Sequence, residues 1–108
     1  MIRTYLEFDI MPGCADRFVQ FFHENHILDK AVAQDGCESA ELTISEDGLS
    51  AIVTATWKTM DDYRTWTNRS DRDALASEIA EFLVMQHTGE RVGRQYEIRL
   101  VGGQGGAP

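Results

Sequence analysis

The sequence predicts an α+β fold: a ferredoxin-like, split β-α-β plan, with a four-stranded antiparallel sheet and helices on one face. Three observations predict it. Apolar and polar residues alternate at period two in four stretches, over residues 2–10, 37–45, 49–57 and 92–101. Apolar residues recur at helical spacing between the first and second stretches, and again between the third and fourth. The order that results is β-α-β-β-α-α-β, the order of the split plan. Alternation of this kind marks strands with one buried and one solvated face, whereas strands covered on both faces read as continuous apolar runs.

Ile2 to Ile10 is the first strand. Ile2, Leu6, Phe8 and Ile10 share one side; Arg3, Tyr5, Glu7 and Asp9 share the other. Pro12-Gly13 stops it. A helix is expected from Cys14 to about Ala33, with Phe18, Phe21, Phe22, Leu28 and Val32 on its apolar face. Asn25 projects from the centre of that face. Two readings are open: an amide bonded to nearby backbone, or an amide lining a cavity. An unpaired amide there costs about 1–3 kcal/mol. His26 flanks the face and His23 points away from it.

Gly36 is expected as the left-handed helix cap. Cys37 to Ser45 is the second strand, with Ala40, Leu42 and Ile44 inward. Glu46-Asp47-Gly48 is a hairpin signal. The third strand runs from Leu49 to Trp57, with Leu49, Ala51, Val53, Ala55 and Trp57 inward. Thr59 is a helix N-cap with Asp62 at the third position. The helix after it carries Met60, Tyr63 and Trp66 on one side. Ser70 caps a further helix with Leu75, Ile79, Phe82 and Leu83 as its apolar stripe, and His87 lies one turn beyond Leu83. Thr88-Gly89 ends it. The last strand spans Val92 to Val101, with Val92, Tyr96, Ile98 and Leu100 on the inward face and Gln95, Glu97 and Arg99 outward. Residues 1–101 make one domain; 102–108 (GGQGGAP) form a disordered tail.

Composition narrows the function classes. The 108 residues carry a net charge of −8. Such a surface repels phosphate backbones, which argues against nucleic acid and anionic membranes as partners. No apolar run approaches the length of a membrane span, and the alternating N-terminal stretch does not read as a signal peptide. Cys14 and Cys37 have no metal-site spacing. With a helix between them they lie roughly 25 Å apart at about 1.5 Å per residue, too far for a disulfide, and imply a reducing cytoplasm. His23, His26 and His87 form no ligand motif, so no metal site is expected. The outward sheet face mixes both charges with hydroxyls and apolar spots. A self-complementary patch of that kind suits a homodimer with sheets face to face.

The chain is organised around the stretch LSAIVTATWKTMDDYRTW, from Leu49 to Trp66. Both tryptophans and Tyr63 gather at its strand-to-helix corner. The small inward residues Ala51 and Ala55 leave room there, either for Phe21, Phe22 and Phe82 or for a ligand. Strand one with Pro12-Gly13, the segment DGCESAEL at Asp35–Leu42, and above all TATWKTMDDYRTW at Thr54–Trp66 resemble the antibiotic biosynthesis monooxygenase family of dimeric α+β barrels. The resemblance covers Ile2 to Val101. It implies a homodimer that oxidises a polycyclic aromatic or quinol-type substrate with O₂ and no added cofactor.

By position, Trp57 and Tyr63 match the pocket Trp and Tyr of the quinone-forming branch. Where that branch carries an Asn, four residues before its Trp, this chain has Val53. Trp66 matches the pocket Trp of the heme-degrading branch. That branch also carries a ligand His, where this chain has Ala76, and a first-strand Asn, where it has Leu6, so heme degradation is not the expected reaction. The expected catalytic residues are therefore Trp57, Tyr63 and, as an amide from the opposite wall, Asn25. Phe22, His26, Val53, Trp66, Phe82 and His87 are the expected substrate contacts. The alternative on the same fold is a small-molecule binder, isomerase or cyclase that does not use O₂.

Overall fold

The computed structural model describes residues 1–68, 78–83 and 93–103. Strands β1 (Ile2–Asp9), β2 (Cys37–Ile44), β3 (Ser50–Trp57) and β4 (Arg94–Glu97) form one antiparallel sheet in the order β2-β3-β1-β4. Helices α1 (Ala15–Glu24), α2 (Ile27–Val32) and α3 (Met60–Thr67) accompany it, with a 3-10 turn at Ala80–Phe82. This is the split β-α-β, ferredoxin-like α+β plan. Among the described residues no helix is long and apolar enough to cross a membrane.

Register fixes which residues share a face. Residues opposite one another in antiparallel strands project to the same side. Ile2, Thr4, Leu6 and Phe8 of β1 stand opposite Trp57, Ala55, Val53 and Ala51 of β3. Ala40, Leu42 and Ile44 of β2 face the last three of these. Phe8, Ile10, Phe18, Phe22, Ala51, Ile79 and Leu83 make the buried core at one end of that face. Its rings interlock: Phe18 lies 5.3 Å from Phe8 and 5.0 Å from Phe22, centroid to centroid. Burial of each such ring contributes about 1.5–3 kcal/mol.

The helix expected from Cys14 to Ala33 is two helices. α1 ends at Glu24, and His26 takes a left-handed conformation (φ 52°, ψ 37°) before α2 starts. A continuous helix would hold the Asn25 amide in the apolar stripe. In the structure its Nδ2 donates to the Phe21 carbonyl at 2.9 Å, and beyond the break Ile27 and Leu28 pack against the phenylalanine core. The phase of α2 shifts accordingly: Ala31 is buried and Val32, expected inward, is 45% exposed.

The expected corners at Gly36 and Thr59 are present. Gly36 has φ +85°, and a Cβ there would collide with the Asp62 carboxylate. Thr59 Oγ1 accepts the Asp62 N–H at 3.1 Å and donates to Asp62 Oδ2 at 2.9 Å, which closes the N-terminus of α3. Leu49 lies before β3 and is exposed, not inward.

β4 departs most from expectation. It stops at Glu97, and Leu100 and Val101 are exposed beyond it. Its faces are also reversed. Tyr96 pairs with Arg3, and Gln95 with Thr4, so Tyr96 lies on the open face and Gln95 on the helix-bearing face. The Tyr96 ring meets Tyr5 edge-on at 5.5 Å.

The helix expected from Ser70 to His87 is only partly within the described residues. Glu78 and Ile79 are helical, the backbone tightens to 3-10 geometry at Ala80–Phe82, and Leu83 pairs with Ile10 as an isolated bridge. The helix therefore does not run on through Leu83. Ser70, Leu75, Ala76, His87, Thr88, Gly89, Val92 and residues 104–108 of the tail lie outside the described residues.

Candidate functional site

Trp57 ends β3 and Tyr63 sits one turn into α3. The Lys58-Thr59 corner between them is held by the Thr59 cap and by the Lys58 N–H on the Gly36 carbonyl at 2.7 Å. The corner brings the two rings together: their centroids are 5.8 Å apart at 61°, an edge-to-face contact. Trp57 is 1% exposed. Its indole N–H is buried without a hydrogen-bond partner among the described residues. An unmet donor of this kind costs about 1–3 kcal/mol. Ile2 and Cys37 stand directly opposite Trp57 on the neighbouring strands, and Thr4, Ala55 and Ala40 follow further along the same face.

The expected site residues divide into two groups. Ile2 faces Trp57 and Phe8 faces Ala51. The six residue steps from Ile2 to Phe8 span about 20 Å at about 3.3 Å per residue. Trp57 and Tyr63 therefore lie at one end of the sheet and the phenylalanine core at the other. Phe22 belongs to that core: it is buried against Phe8 and Phe18. Phe82 stacks near Phe21 at 5.7 Å and Phe18 at 6.3 Å. Both were expected as substrate contacts near Trp57; Phe22 instead lies in the core, and Phe82 packs half-buried against it. Val53 lies midway, opposite Leu6 and Leu42.

Asn25 caps the end of α1, with its amide N–H on the Phe21 carbonyl, as in the backbone-bonded reading. His26 is exposed, with Nδ1 3.4 Å from Asp29 Oδ2. Trp66 is half-buried, one turn beyond Tyr63 on α3. His87 lies outside the described residues. Two further residues reach the Trp57 end. Thr4 is buried there, its hydroxyl 3.5 Å from the Ala55 carbonyl. Gln95 stands opposite Thr4 and donates from Nε2 to the Gly93 carbonyl at 2.8 Å. Thr4 was legible as a hydroxyl among the inward residues of β1. Nothing in the sequence around Gln95 signals its position.

Among the described residues no three His, Cys, Asp or Glu side chains are grouped to hold a metal ion. Cys37 lies opposite Trp57, and partial burial pushes its thiol pKa up. The arrangement sets one buried N–H donor, without a partner among the described residues, beside a phenol. Chemically, the indole can donate a hydrogen bond to an oxygen that reaches it.

No family model matches the chain, and no curated protein matches it either. Solved structures do. SnoaB, a cofactor-independent oxygenase from Streptomyces nogalater solved as a point mutant, superposes with a TM-score of 0.75 at 14% identity, over 95% of this chain and 97% of that one. A structure named antibiotic biosynthesis monooxygenase gives 0.72 at 12% identity, over 93% and 100%. Rv0793 from Mycobacterium tuberculosis gives 0.72 at 14%, over 94% and 98%. The chain therefore has the fold of proteins named antibiotic biosynthesis monooxygenases, along nearly its whole length. At these identities the likeness concerns the fold.

Proposed function

We propose that the Trp57 end of the sheet binds a polycyclic aromatic or quinol-type substrate and oxidises it with O₂, without an added cofactor. The observation that carries the reading is the buried Trp57 N–H with no partner among the described residues, set against Tyr63. The likeness of the fold to a cofactor-independent oxygenase supports it. An anthrone-type substrate is electron-rich once deprotonated and can pass an electron to O₂ directly. The ring CH₂ becomes a carbonyl, one oxygen atom enters the product and the other leaves as water. The protein's part is to orient the ring, exclude water and stabilise the negative oxygen of the deprotonated substrate. Trp57 supplies the donor for that oxygen, and Tyr63 supplies the wall and, through its hydroxyl, a second donor. The enzyme works as a homodimer joined through the open sheet face.

A second reading, binding without oxidation, is favoured by Val53. It stands between Leu6 and Leu42, so the middle of the face offers the ligand no polar group. An oxygen electrode separates the two. With anthrone or a hydroquinone, the first reading expects O₂ uptake above the protein-free rate, reduced at least tenfold in Trp57→Ala. Quenching of tryptophan fluorescence by the same compounds with no added uptake would establish the second reading and remove the first.

A further inference from the structure

We propose that Gly93 is a positioning residue for Tyr63: having no side chain, it lets the phenol hydroxyl settle against the entry to β4 and so fixes the ring beside Trp57. The proposal rests on the reading of this corner as the reacting site and adds what holds one of its groups in place.

α3, which carries Tyr63, has no buried residue. Little apolar burial seats it on the sheet, so its placement depends on individual contacts. One lies at its first turn, where the Asp62 carboxylate occupies the space that a Cβ on Gly36 would need. The other is at Gly93. A Cβ there would stand 3.0 Å from the Tyr63 hydroxyl, closer than ordinary van der Waals contact. Its next neighbours, Gln95 Nε2 at 3.5 Å and the Tyr5 carbonyl at 3.8 Å, are at ordinary distances. Among the described residues, the hydroxyl alone obstructs a side chain at this position.

Backbone conformation does not account for the glycine. Gly13, Gly36, Gly48 and Gly103 have positive φ, and Gly93 is not among them. At such a position alanine ordinarily stabilises a protein, because it restricts the unfolded chain. What glycine gives here is room for the phenol. A methyl group would displace the hydroxyl by a few tenths of an ångström, while the ring keeps its edge-on contact with Trp57.

The test is a double-mutant cycle of Gly93→Ala and Tyr63→Phe in the full chain. Phenylalanine keeps the ring and removes the obstructing oxygen. With anthrone and O₂, Gly93→Ala should lower kcat about three- to tenfold with KM little changed, since a misplaced donor is felt in the transition state more than in the bound ground state. In the Tyr63→Phe background the same substitution should have no further effect on either constant. Urea unfolding gives a readout without ligand: Gly93→Ala should raise the midpoint in Tyr63→Phe and fail to raise it in the wild-type protein. Equal changes in both backgrounds, or none in either, overturn the role of Gly93. No O₂ uptake by any variant, with the midpoints still coupled, upholds the hold of Gly93 on Tyr63 and overturns only the oxygenase reading.

Discussion

Cys37 illustrates how local surroundings set one side chain's chemistry. Partial burial raises its thiol pKa, repulsion from Glu38 adds to the rise, and a hydrogen bond to the Ser39 backbone partly offsets it. The folded state therefore holds the thiol proton more tightly than the unfolded chain does. Its contribution to stability is present below the unfolded thiol value, about 8.5, and is lost as the pH rises through the higher folded value. The thiolate is the nucleophile, so alkylation of Cys37 should lag a small free thiol at pH 8 and catch up only in more alkaline solution. Iodoacetamide labelling of a Cys14→Ser variant, followed by mass spectrometry, measures this. A labelling midpoint at or below that of the free thiol would contradict it. Residues of the candidate site were legible to different degrees at this scale. Trp57 and Tyr63 could be found because large aromatics at a strand-to-helix corner stand out. Phe22 and Phe82 were misplaced because periodicity gives the face of a residue, not its position along a face some 20 Å long.

Within elements, the break between α1 and α2 tests how backbone strain and packing trade off. The spacing of Phe18, Phe21, Phe22 and Leu28 fits one long helix, and the sequence at Asn25-His26 carries no glycine or proline to mark a stop. The break lets Ile27 and Leu28 pack against the core, while the Asn25 amide finds its partner at the Phe21 carbonyl. His26 takes up the strain by adopting φ 52°. A left-handed residue with a Cβ costs about 1–2 kcal/mol, and glycine returns about 0.5–1 of that as lost chain entropy. His26→Gly should therefore stabilise the protein by about 0.5–1 kcal/mol, seen as a higher urea midpoint with unchanged slope. Destabilisation would mean that the exposed His26–Asp29 contact outweighs the strain. β4 carries a second lesson. Alternation separates Tyr96 from Gln95, but only the register against β1 decides which of them faces the helices. An edge strand of four exposed residues has little buried surface to enforce the apolar-inward choice.

Across the whole molecule, the open sheet face is the largest feature the monomer leaves unexplained. The strand order and the helix-covered face follow from alternation and connection order, and both were legible. The content of the open face was legible except on β4. It presents Arg3, Glu7 and Asp9 on β1, Glu41 on β2 and Arg94 on β4, around Tyr5, Ile52 and Tyr96. Two cations against three anions make this face nearly neutral, although the chain carries −8. Two copies can then meet here about a two-fold axis without concentrating like charge. Tyr5, Ile52 and Tyr96 supply its apolar centre, since aromatic and aliphatic residues dominate interface cores. Sedimentation velocity at tens of micromolar should give twice the chain mass. Ile52→Arg, which places a charge at the centre of that face, should give a monomer. Ile52 projects away from the Trp57 corner, so the monomeric variant should keep the same tryptophan quenching by anthrone. A wild-type monomer, or a dimer indifferent to Ile52→Arg, would move the interface elsewhere. A monomer that anthrone no longer quenches would mean instead that each binding corner draws part of its shape from the partner subunit.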